Sequence, residues 1–227
     1  MDKKMNVLDV RLDDYTAKDA MKAVAEYLQT ELVSTVKIVT ADVLIQAAQT
    51  DRLKEEIEQL DLVLAGNKAI LEAAEVLDKR RLEEAHNQTF QKMLFRYFHK
   101  NHFGLFVLAD SEEELMWLKA YLEDHYGGIR IVGGEVVPGD ESADDMIMNQ
   151  INGSEVDCVL AGLTSPKQED FILRCREALN ARLWLGIGRE DLPQLGETGV
   201  KEKMRELFER TILKRRVEKE KKKSHCS

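Results

Sequence analysis

No apolar run among the 227 residues approaches the roughly eighteen that a bilayer-spanning helix needs, so no transmembrane segment is expected. The opening Met1-Asp2-Lys3-Lys4-Met5 has neither a long apolar core nor a small-residue cleavage site, so no signal peptide is expected either. Cysteine is sparse. Cys158, Cys175 and Cys226 make an odd count without metal-ligand spacing, which argues against a disulfide framework and for reduced thiols, the first two buried. The five histidines form no zinc motif, and no metal site or metal cofactor is expected. No Gly-x-Gly-x-x-Gly follows an early strand, which disfavours a dinucleotide-dependent dehydrogenase.

Positive charge is scarce over most of the chain. Residues 200–227 carry eleven Lys or Arg against five Asp or Glu, a balance of +6, so with a net charge of −9 residues 1–199 carry −15. An acidic body lacks the basic face that neutralises phosphates, so nucleic-acid binding is not expected. The 44% hydrophobic and 33% charged composition is that of a soluble globular protein, with length for one sizeable core. One α/β domain over 1–199 and a basic appendage over 200–227 are the expected units.

Strand and helix patterns alternate along the body. Asn6–Asp13 alternates as an edge strand, and Ala17, Met21, Val24, Ala25 and Leu28 recur at helical spacing. Ser34–Thr40 is rich in β-branched residues and reads as a buried strand, followed by a helix through Leu44, Ile45, Ala48, Leu53, Ile57 and Leu60. Asp61–Ala65 is the next strand. Glu72–His102 reads as helical and highly charged, with Leu77, Leu82, Phe90 and Met93 among its inward residues and Arg80 and Arg81 on a solvated face. Phe103–Ala109 is a strand, and Ser111 caps the helix after it. Ile129–Val132 is another, and Gly133-Gly134 permits close ligand approach or, as the plainer reading, a tight turn. Asp140–Ile151 is a helix, and Ala181–Ile187 a last buried strand. Such alternation predicts a mostly parallel, Rossmann-like sheet with helices on both faces.

The most informative stretch is Asp157–Ile172. Cys158–Leu160 is an apolar strand, Gly162-Leu163-Thr164-Ser165-Pro166 a loop, and Phe171, Ile172 and Cys175 the inward face of a helix. In an open parallel sheet, ligands bind beyond the carboxyl ends of the strands, so this loop is a site by geometry. Lys167, Gln168 and Glu169 place a cation, an amide and a carboxylate on the first helical turn, where free backbone amides favour anions. The competing reading is purely local, with Ser165 capping the helix and Pro166 and Glu169 suiting its first turn.

Gly162-Leu163-Thr164-Ser165-Pro166-Lys167-Gln168-Glu169 resembles the Gly-x-Gly-x-Pro-Lys-Gln-Glu hallmark of the WecG/TagA/CpsF family of bacterial glycosyltransferases, which are N-acetylmannosaminyltransferase-like. Thr164 replaces the second glycine. The strand ends Val39-Thr40-Ala41-Asp42 and Leu64-Ala65-Gly66-Asn67 resemble the family's Val-Thr-x-Asn and Ala-Asp-Gly ends. The resemblance implies a nucleotide-sugar site at Thr40, Asp42, Asn67, Gly162, Pro166, Lys167, Gln168 and Glu169. It also implies transfer of an N-acetylhexosamine from a UDP-sugar to a lipid-linked polyprenyl-pyrophosphate acceptor in cell-surface polysaccharide or teichoic acid synthesis. The family's general-base aspartate falls at Gly66, so no catalytic residue is assigned. The alternative is a catalytically degenerate relative that binds a nucleotide sugar or a partner glycosyltransferase.

Residues from Val200 suit a basic amphipathic helix bearing Arg210, Lys214, Arg215 and Arg216. By resemblance, this appendage serves the inner face of the cell membrane and the pyrophosphate, and the protein is cytoplasmic and peripheral. A last helix packed on the core is the plainer reading. Self-association as a homo-oligomer stays open.

Overall fold

The computed structural model describes residues 4–188, 191–192 and 211–219. The chain opens with an antiparallel hairpin, β1 (Lys4–Val7) and β2 (Val10–Asp13), in place of the single edge strand expected over Asn6–Asp13. Leu8 and Asp9 have φ of 52° and 64°, the left-handed pair required by a tight two-residue turn. The alternation was read correctly, but Leu-Asp carries no glycine signal for the reversal.

Six strands follow: β3 (Ser34–Val39), β4 (Leu62–Ala65), β5 (Gly104–Ala109), β6 (Arg130–Val136), β7 (Cys158–Gly162) and β8 (Leu183–Gly186). They form one sheet in the order β4-β3-β8-β7-β5-β6, with every pairing parallel. The last strand thus lies in the middle, between β3 and β7. β-branched and leucine residues fill these strands because both faces are covered, the usual condition for a parallel sheet.

The helices are α1 (Ala17–Tyr27), α2 (Ala41–Ala47), α3 (Asp51–Glu58), α4 (Lys68–Ala73), α5 (Lys79–His86), α6 (Thr89–Asn101), α7 (Glu112–Tyr126), α8 (Asp144–Asn152) and α9 (Lys167–Cys175). Leu44, Leu53, Ile57, Ile70, Ile147, Ile151, Phe171 and Ile172 pack on one face with Val39, Val63, Phe106, Val159 and Trp184. On the other face Val24, Leu94, Phe95, Phe98, Leu118 and Leu122 pack with Ile38, Leu64, Leu105, Leu160 and Leu185. The result is the expected Rossmann-like α/β fold, a sheet between two helical layers.

Two readings of local structure change. Gly133 and Gly134 lie inside β6 rather than in a turn, and a side chain at Gly133, just past the β6 bulge at Val132, would overlap the Phe106 ring. The expected long helix over Glu72–His102 is broken, because Glu75 and Gln88 adopt φ of 59° and 49° and split off α5. Leu77 falls in the break and is 88% exposed, and Met93 is also exposed. In α5 the buried residue is Arg81, paired with Asp14, while Arg80 is exposed as expected.

Candidate functional site

Alternation along β3 sends Thr35, Lys37 and Val39 towards α9, so the middle of a buried strand carries a lysine that is 4% exposed. Its ammonium has three donors and meets three acceptors. Lys37 Nζ lies 2.5 Å from Glu169 Oε1, 2.5 Å from Gln168 Oε1 and 3.0 Å from Ser165 Oγ. Ser165 Oγ donates to Glu169 Oε1 at 3.0 Å, and Gln168 Nε2 donates to the carbonyls of Ala161 at 2.7 Å and Leu163 at 3.1 Å. The first turn of α9 is thereby stitched to the middle of β3 and the end of β7. Gly186 of β8 leaves room for this, since a Cβ there would overlap Gln168 Oε1.

A cavity of about 270 Å³ opens at the carboxyl ends of β3 and β7, bordered by α2 and α7. Lys37, Thr40, Asp42, Gln46, Glu114, Trp117, Gly162, Thr164, Ser165 and Gly188 line it. Its ionisable groups are two carboxylates, Asp42 and Glu114, and one ammonium, Lys37, already neutralised by Glu169. One oxygen of Glu114 is shielded from solvent with no hydrogen-bond partner among the described residues. Trp117 supplies an aromatic wall and stacks on Tyr121 at 5.5 Å between ring centroids. A smaller cavity of about 50 Å³, bordered by Arg81, Glu84 and Gln91, shares Ile38 with the first.

Thr40, Asp42 and Gly162 of the expected site residues meet at the larger cavity. Gln168 and Glu169 sit behind Lys37, 1% and 0% exposed, with their polar atoms directed to protein partners. Lys167 turns elsewhere, 2.6 Å from Asp110 and donating to the Val137 carbonyl at 2.9 Å. Asp110 also accepts from the Thr164 amide at 2.7 Å, tying the end of β5 to the loop after β7. Pro166 is the exposed N-cap of α9, so Ser165 does not cap it. Asn67 caps α4 by accepting from the Ile70 amide at 3.3 Å, as Thr40 caps α2 through Val43 at 3.3 Å.

Gly66 follows β4, and its amide donates to the Val39 carbonyl at 2.9 Å. A Cβ built on it would come within 2.5 Å of Asp191 Oδ1 and 2.7 Å of the Val39 carbonyl. Asp191 itself is 3% exposed. Among the described residues the thiols make poor nucleophiles, since burial raises Cys158 and lifts Cys175 to about 11. Among the described residues no group of three metal-ligating side chains occurs, and no helix is long and apolar enough to cross a membrane. Residues 211–219 are helical, with Leu213 fully buried in the core, Lys214 and Arg215 exposed and Arg216 half-buried. Arg210, named with them from sequence, lies outside the described residues, as does Cys226.

A doubly wound parallel sheet with a polar cavity beyond its strand ends is of the class that takes nucleotide-like ligands there. Within that class, the model of the Glycosyl transferase WecG/TagA/CpsF family matches residues 5–189, and the chain belongs to this glycosyltransferase family. No curated protein matches it.

Sequence reasoning missed Lys37, Glu114 and Trp117, and saw Asp191 only as part of a partial match to a family Gly-x-Gly and Phe-Asp segment. Lys37 did carry a signal, as a lone charge in the apolar run Val36-Lys37-Ile38-Val39. Glu114 and Trp117 read only as helix residues, and nothing local links Asp191 to Gly66.

Proposed function

We propose that the protein transfers an N-acetylhexosamine-type sugar from a UDP-sugar to a lipid-linked polyprenyl-pyrophosphate acceptor, acting in cell-surface polymer synthesis at the inner membrane face. Family membership supports a nucleotide-sugar donor and an acceptor. The observation that carries the reading is the cavity where Thr40, Asp42, Glu114 and Trp117 converge. Its carboxylates accept hydrogen bonds from hydroxyls and repel phosphate, and its indole offers an apolar face to a ring. Those chemistries suit the sugar end of the donor. At about 270 Å³ the cavity is also smaller than the roughly 300–1,000 Å³ of ordinary ligand clefts, so it takes part of a nucleotide sugar and leaves the diphosphate towards the Thr164-Ser165 loop.

Titration calorimetry with UDP and UDP-N-acetylhexosamines tests this. The sugar nucleotide is expected to bind more tightly than UDP, and Trp117→Ala is expected to weaken it about tenfold, near 1.4 kcal/mol, with little change in Tm. Equal affinities for UDP and UDP-sugar would remove the sugar from the cavity. UDP release with a polyprenyl-pyrophosphate acceptor then measures turnover. Gly66 favours a second reading, a relative that binds the donor without transfer, because glycine accepts no proton where the family's aspartate is expected.

A further inference from the structure

The carboxylate missing at Gly66 has a spatial replacement. The volume a side chain at Gly66 would need already contains the Asp191 carboxyl group, with Oδ1 2.5 Å and Cγ 3.1 Å from the ideal Cβ position. The Asp191 amide donates to the Gly188 carbonyl at 3.0 Å, and Leu192, next in the chain, is anchored in the core. Asp191 lines neither cavity itself, but residues beside it border both. Gly188 lines the larger cavity, as does Thr40, the neighbour of Val39, whereas Ala65, the neighbour of Gly66, lines the smaller one.

Two polar neighbours of Gly66 along the chain serve other roles. Asn67 caps α4 and its amide is no base. Asp61 lies at the amino end of β4, accepting from the Thr35 amide and hydroxyl at 2.7 Å each. We propose that Asp191 is the general base of the transfer, its carboxylate occupying the space that glycine leaves at position 66. This rests on the transferase reading. The carboxylate takes the proton of the acceptor hydroxyl as that oxygen bonds to the anomeric carbon, and the anomeric carbon–oxygen bond breaks with its electron pair leaving on the nucleoside diphosphate.

The test is UDP release by the full chain and by Asp191→Asn, with UDP-sugar affinity measured on both. The amide is expected to lower turnover by about 10²–10⁴-fold while affinity stays within about twofold. Undiminished turnover in folded Asp191→Asn would overturn the assignment and leave the transferase reading standing. A native chain that binds UDP-sugar but never releases UDP would overturn both, and one that binds no UDP-sugar would defeat the nucleotide-sugar reading itself. Should Asp191→Asn not fold, Asp191→Ala with sodium formate decides. Turnover that returns with formate supports the base, and turnover undiminished without formate refutes it.

Discussion

Lys37 is the residue on which the α9 junction depends. A buried ammonium is tolerated only with its charge paired and its donors used, and Glu169, Gln168 and Ser165 meet that requirement. Replacing it strands a carboxylate that is 0% exposed. Lys37→Met is expected to cost about 3–5 kcal/mol in urea unfolding, with Gln168→Ala losing about 1–3 kcal/mol by the same measurement. Recovery of most of the Lys37→Met loss by adding Glu169→Gln would identify the stranded charge as the cause. Pro-Lys-Gln-Glu was therefore legible as a special segment, but its division of labour was not. Whether an amide at the start of a helix faces a ligand or a buried lysine 131 positions away depends on strand register, which the local pattern does not contain.

The hairpin of β1 and β2 is an element fastened by charge at its turn. Arg11 donates to Glu58 at 2.7 Å and Lys54 to Asp9 at 2.5 Å, both reaching across to α3. The hydrogen bond from Arg11 holds the Glu58 carboxyl below its ordinary value, and that from Lys54 does the same for Asp9. A depressed carboxylate stabilises the fold above its ordinary value, near 4.5 for Glu58 and 3.8 for Asp9, and loses that contribution as the pH falls through the depressed value. Amide exchange protection at Val7 and Val10 is therefore expected to fall below about pH 4 before that of β7, with Glu58→Gln showing the loss already at pH 7. Equal acid sensitivity in β1 and β7 would contradict it. Long strands such as β3 and β5 were legible because β-branched or apolar runs mark them. The hairpin turn, the split at Glu75 and Gln88 and the path of β6 through two glycines were not, since backbone conformations set by tertiary packing leave no local motif.

At the scale of the molecule, the sheet and its two helical layers followed from alternating patterns, whereas strand order did not, because a parallel crossover leaves no mark on the strands it joins. Net charge divides the chain into an acidic body and a basic end. Helix 211–219 joins the two, burying Leu213 and resting Val217 on the core while Lys214 and Arg215 stay exposed. That helix is packed on one side and cationic on the other. At about 1 kcal/mol per cation near an anionic surface, reversing both charges as Lys214→Glu with Arg215→Glu is expected to lower partition onto phosphatidylglycerol vesicles by roughly thirtyfold or more, with Tm nearly unchanged. Sedimentation with vesicles measures this, and equal pelleting of both proteins would count against a membrane role.

The central position of β8 bears on how the chain is made. A ribosome that has not yet released residues 183–186 holds a nascent polypeptide whose β3–β4 and β5–β6–β7 ribbons have no strand to join them, each with an open edge. Both the pocket wall at Gly188 and the acid at Asp191 come later still, so a chain translated only as far as β7 lacks part of the cavity lining.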